Sequence, residues 1–218
     1  MLKIHGVYRS RAFRNIWFAR ELGIPYEVVP VIQAYRLAAR APGIPVMNTR
    51  SPEFMRLNPL GQIPAIEDGD VVLTESLAIN LYLARKHGGP LTGQTLAEEG
   101  QMLRWSFWAA TEMEANALAV LMQAESGDVT GGLADAAREA EASLRDKLPV
   151  LNQALSATGW LVGGRFTVAD LNVAEVLRYA LPATSLFADN PAVKSWLEAC
   201  HARPAFRELW AKRTDEVT

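Results

Sequence analysis

Cysteine is almost missing from this chain: Cys200 is the only one in 218 residues. A single thiol cannot close an intrachain disulfide, nor supply the paired thiolates of a structural zinc site. Histidine is nearly as scarce. His5, His87 and His201 lie far apart, so no helix carries two of them at metal-ligand spacing, and no metal is expected. A block of like charge is also lacking: 22 basic and 24 acidic residues mix along the chain, for a formal net charge of −2. That excludes the basic footprint of a nucleic-acid binder. No apolar run reaches the roughly 20 residues of a membrane span. The first five residues, Met1-Leu2-Lys3-Ile4-His5, enter a strand-like pattern where a signal peptide would have an apolar stretch. A reducing cytoplasm is the expected home. Half of the chain is hydrophobic, enough for a sizeable core, and its length suits two small domains better than one.

Residues 2–7 read as a strand and 11–22 as a helix, which Gly23 stops and Pro25 keeps from resuming. Residues 26–31 form a second strand. A helix between two nearby strands is a βαβ unit, which favours parallel pairing. In residues 33–51 proline, glycine and alanine alternate with arginine, the signature of a loop with one short helical turn. Within it, residues 34–48 look like an insertion along one wall of a site. Ser51 then caps a brief helix that has Pro52 at its first position. Two short apolar runs, 64–67 and 71–73, flank Asp68-Gly69-Asp70 and read as a hairpin. A helix follows over residues 74–86. The order β-α-β, irregular, β-β-α is that of a thioredoxin-like fold.

His87-Gly88-Gly89-Pro90 breaks the chain, and from Leu96 onward the sequence is helical. Trp105, Phe107 and Trp108 share one long helix, and residues 133–155 form another. The fold class is therefore α/β plus all-α. A thioredoxin-like domain spans 1–85, a linker 86–95 and a helical bundle 96–218.

The stretch Asn58-Pro59-Leu60-Gly61-Gln62-Ile63-Pro64-Ala65 carries the first chemical signal. A proline entering a strand cannot donate to the ladder. A cis Ile63–Pro64 bond would leave the Ile63 N–H and C=O projecting outward, able to receive an extended peptide like an added strand. A plain turn before the hairpin is the alternative. The second signal is Glu75-Ser76, after a strand and opening a helix. Free N–H groups at a helix start favour a carboxylate, Ser76 adds a hydroxyl donor, and Glu75 can accept from an ammonium. One amino-acid end, carrying both charges, would satisfy the pair together. Simple capping of the helix is the alternative.

A strand-edge peptide receptor, a hairpin, and an amino-acid receptor at a helix start resemble, in that order, the glutathione site of glutathione transferases. The resemblance covers nearly the whole chain and points to a bacterial-like, serine-type cytosolic member. It implies that Ile63, beside a cis Pro64, pairs with the cysteinyl backbone of glutathione. It further implies that Glu75 and Ser76 hold the γ-glutamyl end, with Gln62 near the glycyl carboxylate. Phe166-Thr167-Val168-Ala169-Asp170 matches the capping box and hydrophobic staple of the family's second domain, so Thr167 and Asp170 are expected to serve folding. The implied activity is conjugation of glutathione, bound as thiolate, to a small, hydrophobic electrophile, in detoxification. Peroxidase, isomerase or dehalogenase chemistry on the same site is an alternative, and so is a non-catalytic binding module. A homodimer is implied, with glutathione as co-substrate and no metal.

The thiol-activating residue is expected at Tyr8-Arg9-Ser10-Arg11, between the first strand and the first helix. Serine-type members place a hydroxyl at this turn, which selects Ser10, although its oxygen can also cap the helix. Counting back from Gly23, the catalytic serine of several classes falls at Arg9 and the cysteine of others at Arg11. A covalent cysteine mechanism is thereby excluded. Arg11 and Arg9 remain as cationic stabilisers and Tyr8 as a further candidate. Arg14 is expected on the solvated face of the helix. Trp105, Trp108 and Met113 are candidates for an electrophile pocket between the domains, although aromatics at i and i+3 also suit a core. Cys200 is expected to be a buried helical residue.

Overall fold

Leu2 and Ile4 are apolar and buried, as an inner strand requires, and β1 (Leu2–His5) is inner. It pairs in parallel with β2 (Tyr26–Val29), Leu2 opposite Tyr26 and His5 opposite Val29. On its other side it pairs antiparallel with β3 (Ala65–Asp68), His5 opposite Ala65. β4 (Val71–Thr74) closes the hairpin with β3, and the sheet runs β2-β1-β3-β4. This computed structural model describes residues 1–39 and 47–216.

The crossover is α1 (Ala12–Leu22), which ends where Gly23 turns left-handed at φ 66°. It lies beside α3 (Ser76–His87), and Phe13, Ile16, Trp17, Ile79 and Leu83 of the two helices are all buried. A second apolar cluster joins Val7, Val31, Ile32, Ala65 and Ile63 to Phe54 of α2 (Pro52–Leu57). Ser51 stands at the start of α2, its C=O accepting the Met55 N–H. Its hydroxyl does not cap the helix but accepts the Asn48 N–H at 3.0 Å, tying the preceding loop instead.

The stretch 34–48 falls partly outside the described residues. Ala34–Ala39 forms a 3-10 helix, and the two flanks of the stretch are clamped. Ile32 N–H donates to Met47 C=O at 3.1 Å, and Thr49 N–H to Ile32 C=O at 2.9 Å.

The chain forms two compact units. One holds residues 1–87 together with α10 (Pro204–Asp215); the other holds residues 88–203. Reading the sequence as two consecutive segments assigns α10 to the helical domain, but its aromatics place it with the first. Phe206 meets Trp17 edge-on at 4.9 Å, and Trp210 meets Phe13 at 5.7 Å, with Arg20 paired to Glu208 at 2.8 Å. Aromatic pairs in this geometry gain about 0.5–1.5 kcal/mol beyond the area they bury.

The helical unit is ordered around α7 (Val168–Leu177), every residue of which is buried. Its other helices are α4 (Leu96–Trp108), α5 (Glu114–Ser126), α6 (Gly132–Thr158), α8 (Thr184–Ala188) and α9 (Pro191–His201). Between α4 and α5 the chain makes a π-helical turn, Ala109–Met113, which interrupts the long helix read from the sequence. On α6 the buried residues Ala134, Ala137, Ala140, Leu144, Leu148, Leu151 and Leu155 recur every three or four positions, the stripe of an amphipathic helix.

Candidate active site

The Ile63–Pro64 peptide bond is cis, and β3 begins only at Ala65. The Ile63 side chain is buried in the Val7–Phe54 cluster. Its backbone N–H and C=O find no hydrogen-bond partner among the described residues. The approach to it is shaped by Asn58, a buried residue that the sequence reading passed over. Asn58 Nδ2 donates to the Gln62 C=O at 2.6 Å, and its Oδ1 accepts the Leu60 N–H at 3.1 Å. An asparagine opening a turn before proline was the available signal. Gly61 has φ 63°, and a Cβ there would lie 2.8 Å from the Thr49 carbonyl oxygen, so no side chain fits. Gln62 is exposed at the rim.

Glu75 sits at φ 66°, the one non-glycine residue with positive φ among those described. Such a backbone costs about 1–3 kcal/mol and persists only where its surroundings fix it. The fixing residues are on α1. Arg14 Nη1 donates to Ser76 Oγ at 3.0 Å, and Asn15 Nδ2 donates to the Ser76 C=O at 2.8 Å and to Asn80 Oδ1 at 2.7 Å. Asn80 Nδ2 reaches back to the Arg14 C=O at 3.4 Å. Arg14, expected on the solvated face, is in fact only 1% exposed. It lies on the side of α1 that meets α3, where a hydrogen bond to Ser76 offsets part of its desolvation. The result is a guanidinium fixed beside a helix start, the place where an anionic ligand group is best held.

The β1–α1 turn approaches the same region from the sheet. Gly6 has φ 155°, and a Cβ built on it would lie 2.4 Å from Ala12 Cβ, 3.6 Å from Ser10 Oγ and 3.7 Å from Ile63 Cβ. Glycine therefore lets the turn close, and it brings Ser10 and Ile63 to one place. Ser10 Oγ donates to the Val7 C=O at 2.7 Å and accepts the Ala12 N–H at 3.1 Å. Its single proton is thus committed within the turn. Tyr8 is half-buried, whereas Arg9 and Arg11 are exposed.

The three candidates for the electrophile pocket belong to the helical unit. Trp105 and Met113 are buried, and Trp108 is half-buried, edge-on to Trp105 at 5.3 Å. In the same unit Thr167 and Asp170 form a capping box. Asp170 accepts from the Thr167 N–H and hydroxyl, the Leu161 N–H and Trp196 Nε1. Burial raises its pKa, and these hydrogen bonds counter the shift. Cys200 is buried on α9. Among the described residues no three His, Cys, Asp or Glu side chains gather as a metal site, and no helix is long and apolar enough to cross a membrane.

Two family models match the chain: "Glutathione S-transferase, N-terminal domain" over residues 9–86, and "Glutathione S-transferase, C-terminal domain" over 109–204. The chain belongs to the glutathione S-transferase family. Glutathione S-transferase 3 of Zea mays is 35% identical over 222 residues, covering 96% of this chain and 93% of that one. Among solved structures, glutathione transferase F7 from Populus trichocarpa has a TM-score of 0.81 at 26% identity, covering 98% of this chain and 99% of that one. Glutathione S-transferase-I bound with lactoylglutathione gives a TM-score of 0.79 at 29% identity, covering 96% and 98%. The fold is thus the glutathione transferase fold, a thioredoxin-like unit and a helical one, and the chain is an enzyme of the transferase class.

Proposed function

We propose that this glutathione transferase binds glutathione through Gln62, Ile63, Pro64, Glu75 and Ser76, activates its thiol with Ser10, and adds the thiolate to a small hydrophobic electrophile. The observation that carries this reading is the left-handed Glu75 joined to a Ser76 that Arg14 and Asn15 hold in place. Strain maintained by buried polar contacts suits a receptor for an amino-acid end: a carboxylate on the helix start and an ammonium on Glu75. The backbone of Ile63 then takes the cysteinyl residue as an added strand, and Gln62 lies on the glycyl side.

Ser10 can serve as the serine-type activator even though its proton now bonds the Val7 carbonyl. A neutral hydrogen bond is worth roughly 0.5–1.5 kcal/mol net, and one to a charged group roughly 1.5–3. A thiolate placed beside Ser10 therefore wins the hydrogen bond from the Val7 carbonyl, the proton staying on Ser10 Oγ. The surplus lowers the thiol pKa by on the order of one unit, at 1.36 kcal/mol per unit. Trp108, half-buried over Trp105, is the member of the aromatic pair with surface left for an electrophile. The enzyme works as a cytoplasmic homodimer in this reading. Val72 of the edge strand β4 and Phe107 of α4 are exposed apolar residues of the kind a second copy covers.

The test is Ser10→Ala, with glutathione binding followed by calorimetry and turnover measured on a panel of aryl halides, enals, epoxides and peroxides. Retained binding with turnover reduced at least about tenfold supports Ser10 as activator. Unchanged turnover removes that role. Reaction confined to peroxides, or binding with no reaction at all, replaces conjugation by a peroxidase or by a binding module on the same site.

A further inference from the structure

Tyr8 and Arg9 present consecutive backbone N–H groups, and both are already taken by one carboxylate. Glu216 Oε1 accepts the Tyr8 N–H at 2.9 Å, and Glu216 Oε2 accepts the Arg9 N–H at 2.7 Å. Two adjacent amides converging on both oxygens of an anion make a nest, a backbone device for holding negative charge. The surroundings favour an anion as well. Arg36 Nη1 bonds the Arg9 C=O at 3.1 Å and Arg213 Nη1 the Tyr8 C=O at 3.4 Å, so two guanidinium groups flank the turn.

We propose that the β1–α1 turn is an anion receptor that the chain fills with its own Glu216 carboxylate, which must withdraw before an incoming thiolate can use the Tyr8 and Arg9 amides. The inference rests on the proposed function, because it takes the anion arriving at this turn to be the glutathione thiolate. Geometry connects the two. Ser10 directly follows the nest, and its Oγ and Ile63 Cβ, where the cysteinyl residue of glutathione is proposed to sit, each lie within 4 Å of the position a Cβ on Gly6 would take. Glu216 is delivered by α10, which is anchored to α1 through Phe206 and Trp210 on Phe13 and Trp17. Only the end of that helix needs to move. The Arg9 contact is exposed to solvent, so the clasp is weak enough for a ligand held at several other points to displace it. Two anions cannot share one nest. Occupancy by thiolate therefore releases Glu216, and an empty site recaptures it.

The test compares wild type with Glu216→Ala and Glu216→Gln at one pH. Without ligand, amide hydrogen exchange is read at Tyr8 and Arg9. With ligand, glutathione affinity is read by calorimetry and the thiolate fraction by ultraviolet absorbance. The clasp predicts faster exchange at both amides in Glu216→Ala. It also predicts glutathione binding tighter by about three- to tenfold with a larger thiolate fraction, and intermediate values for Glu216→Gln. Unchanged exchange in Glu216→Ala overturns the resting contact. Glutathione binding of equal or lower affinity in both variants overturns the competition while leaving the glutathione reading intact. Absence of glutathione binding in wild type and variants alike overturns the proposed function, and the competition with it.

Discussion

Arg14 and Ser76, 62 positions apart in the chain, meet at 3.0 Å in the interior of the thioredoxin-like unit. The contact joins the first helix to the start of the third, and it places a cation directly behind the proposed amino-acid receptor. Removing the hydroxyl takes a ligand donor and an acceptor for Arg14 at once. Ser76→Ala is expected to lose about 1–3 kcal/mol of stability, the cost of depriving a buried group of a partner, and to weaken glutathione binding at least about tenfold. Denaturant unfolding and calorimetry read the two losses. A stability loss with full affinity would confine Ser76 to structure.

Glu75 holds a left-handed backbone that only glycine adopts without strain. Glu75→Gly is therefore expected to be more stable than Glu75→Ala by roughly 1 kcal/mol, since alanine keeps the strain and glycine relieves it. Both lose the carboxylate, so both are expected to bind glutathione poorly. Paired unfolding curves measure the difference, and equal midpoints would mean that the turn relaxes out of the left-handed region.

Asp170 is fully buried and accepts four hydrogen bonds. Asp170→Ala strands the Leu161 and Thr167 amides and the Trp196 indole N–H, at an expected cost of about 3–5 kcal/mol. Any folded fraction is expected to bind glutathione normally, because the receptor residues lie in the other unit. A thermal midpoint close to wild type would contradict the structural role.

His201 is held neutral by burial, its pKa lowered from 6.5 to about 4, with Glu175 pulling it up and Arg178 pushing it down. Between those values the unfolded chain binds the proton and the folded chain does not. Stability therefore rises with pH across this window and is lost as pH falls from about 6.5 towards 4. The loss amounts to at most roughly 3 kcal/mol at 1.36 kcal/mol per unit. His201→Asn is expected to flatten that part of the profile, measured by denaturant unfolding at several pH values. An equally steep profile in the variant would assign the dependence to other groups.

Much of the sheet was legible because its signals are local. Gly23 after a helical run, Gly69 between two apolar stretches and Pro64 entering a strand each limit the backbone within a few residues. The start of α3 was legible for the same reason, although the left-handed φ of Glu75 was not, since nothing about glutamate marks it. Arg14 was misplaced because a lone arginine on a helix normally faces water, and its partner Ser76 becomes a neighbour only when the fold is complete. The same limit applies to α10. Its alternation of Phe206 and Trp210 with charged residues reads as one more bundle helix, and only packing against Phe13 and Trp17 shows to which unit it belongs. The Tyr8–Ser10 turn was the hardest part to read, because Glu216, Arg36 and Arg213 all meet it at backbone amides or carbonyls, which sequence does not distinguish.

The most direct test of the central proposal is the ultraviolet absorbance of protein-bound glutathione followed against pH. A thiol bound at Ile63 and Glu75 and activated at the Ser10 turn is expected to titrate at least about one unit below the value near 8.5 of a free cysteine-like thiol. A bound thiol titrating at the free value, or no bound thiol at all, would contradict it.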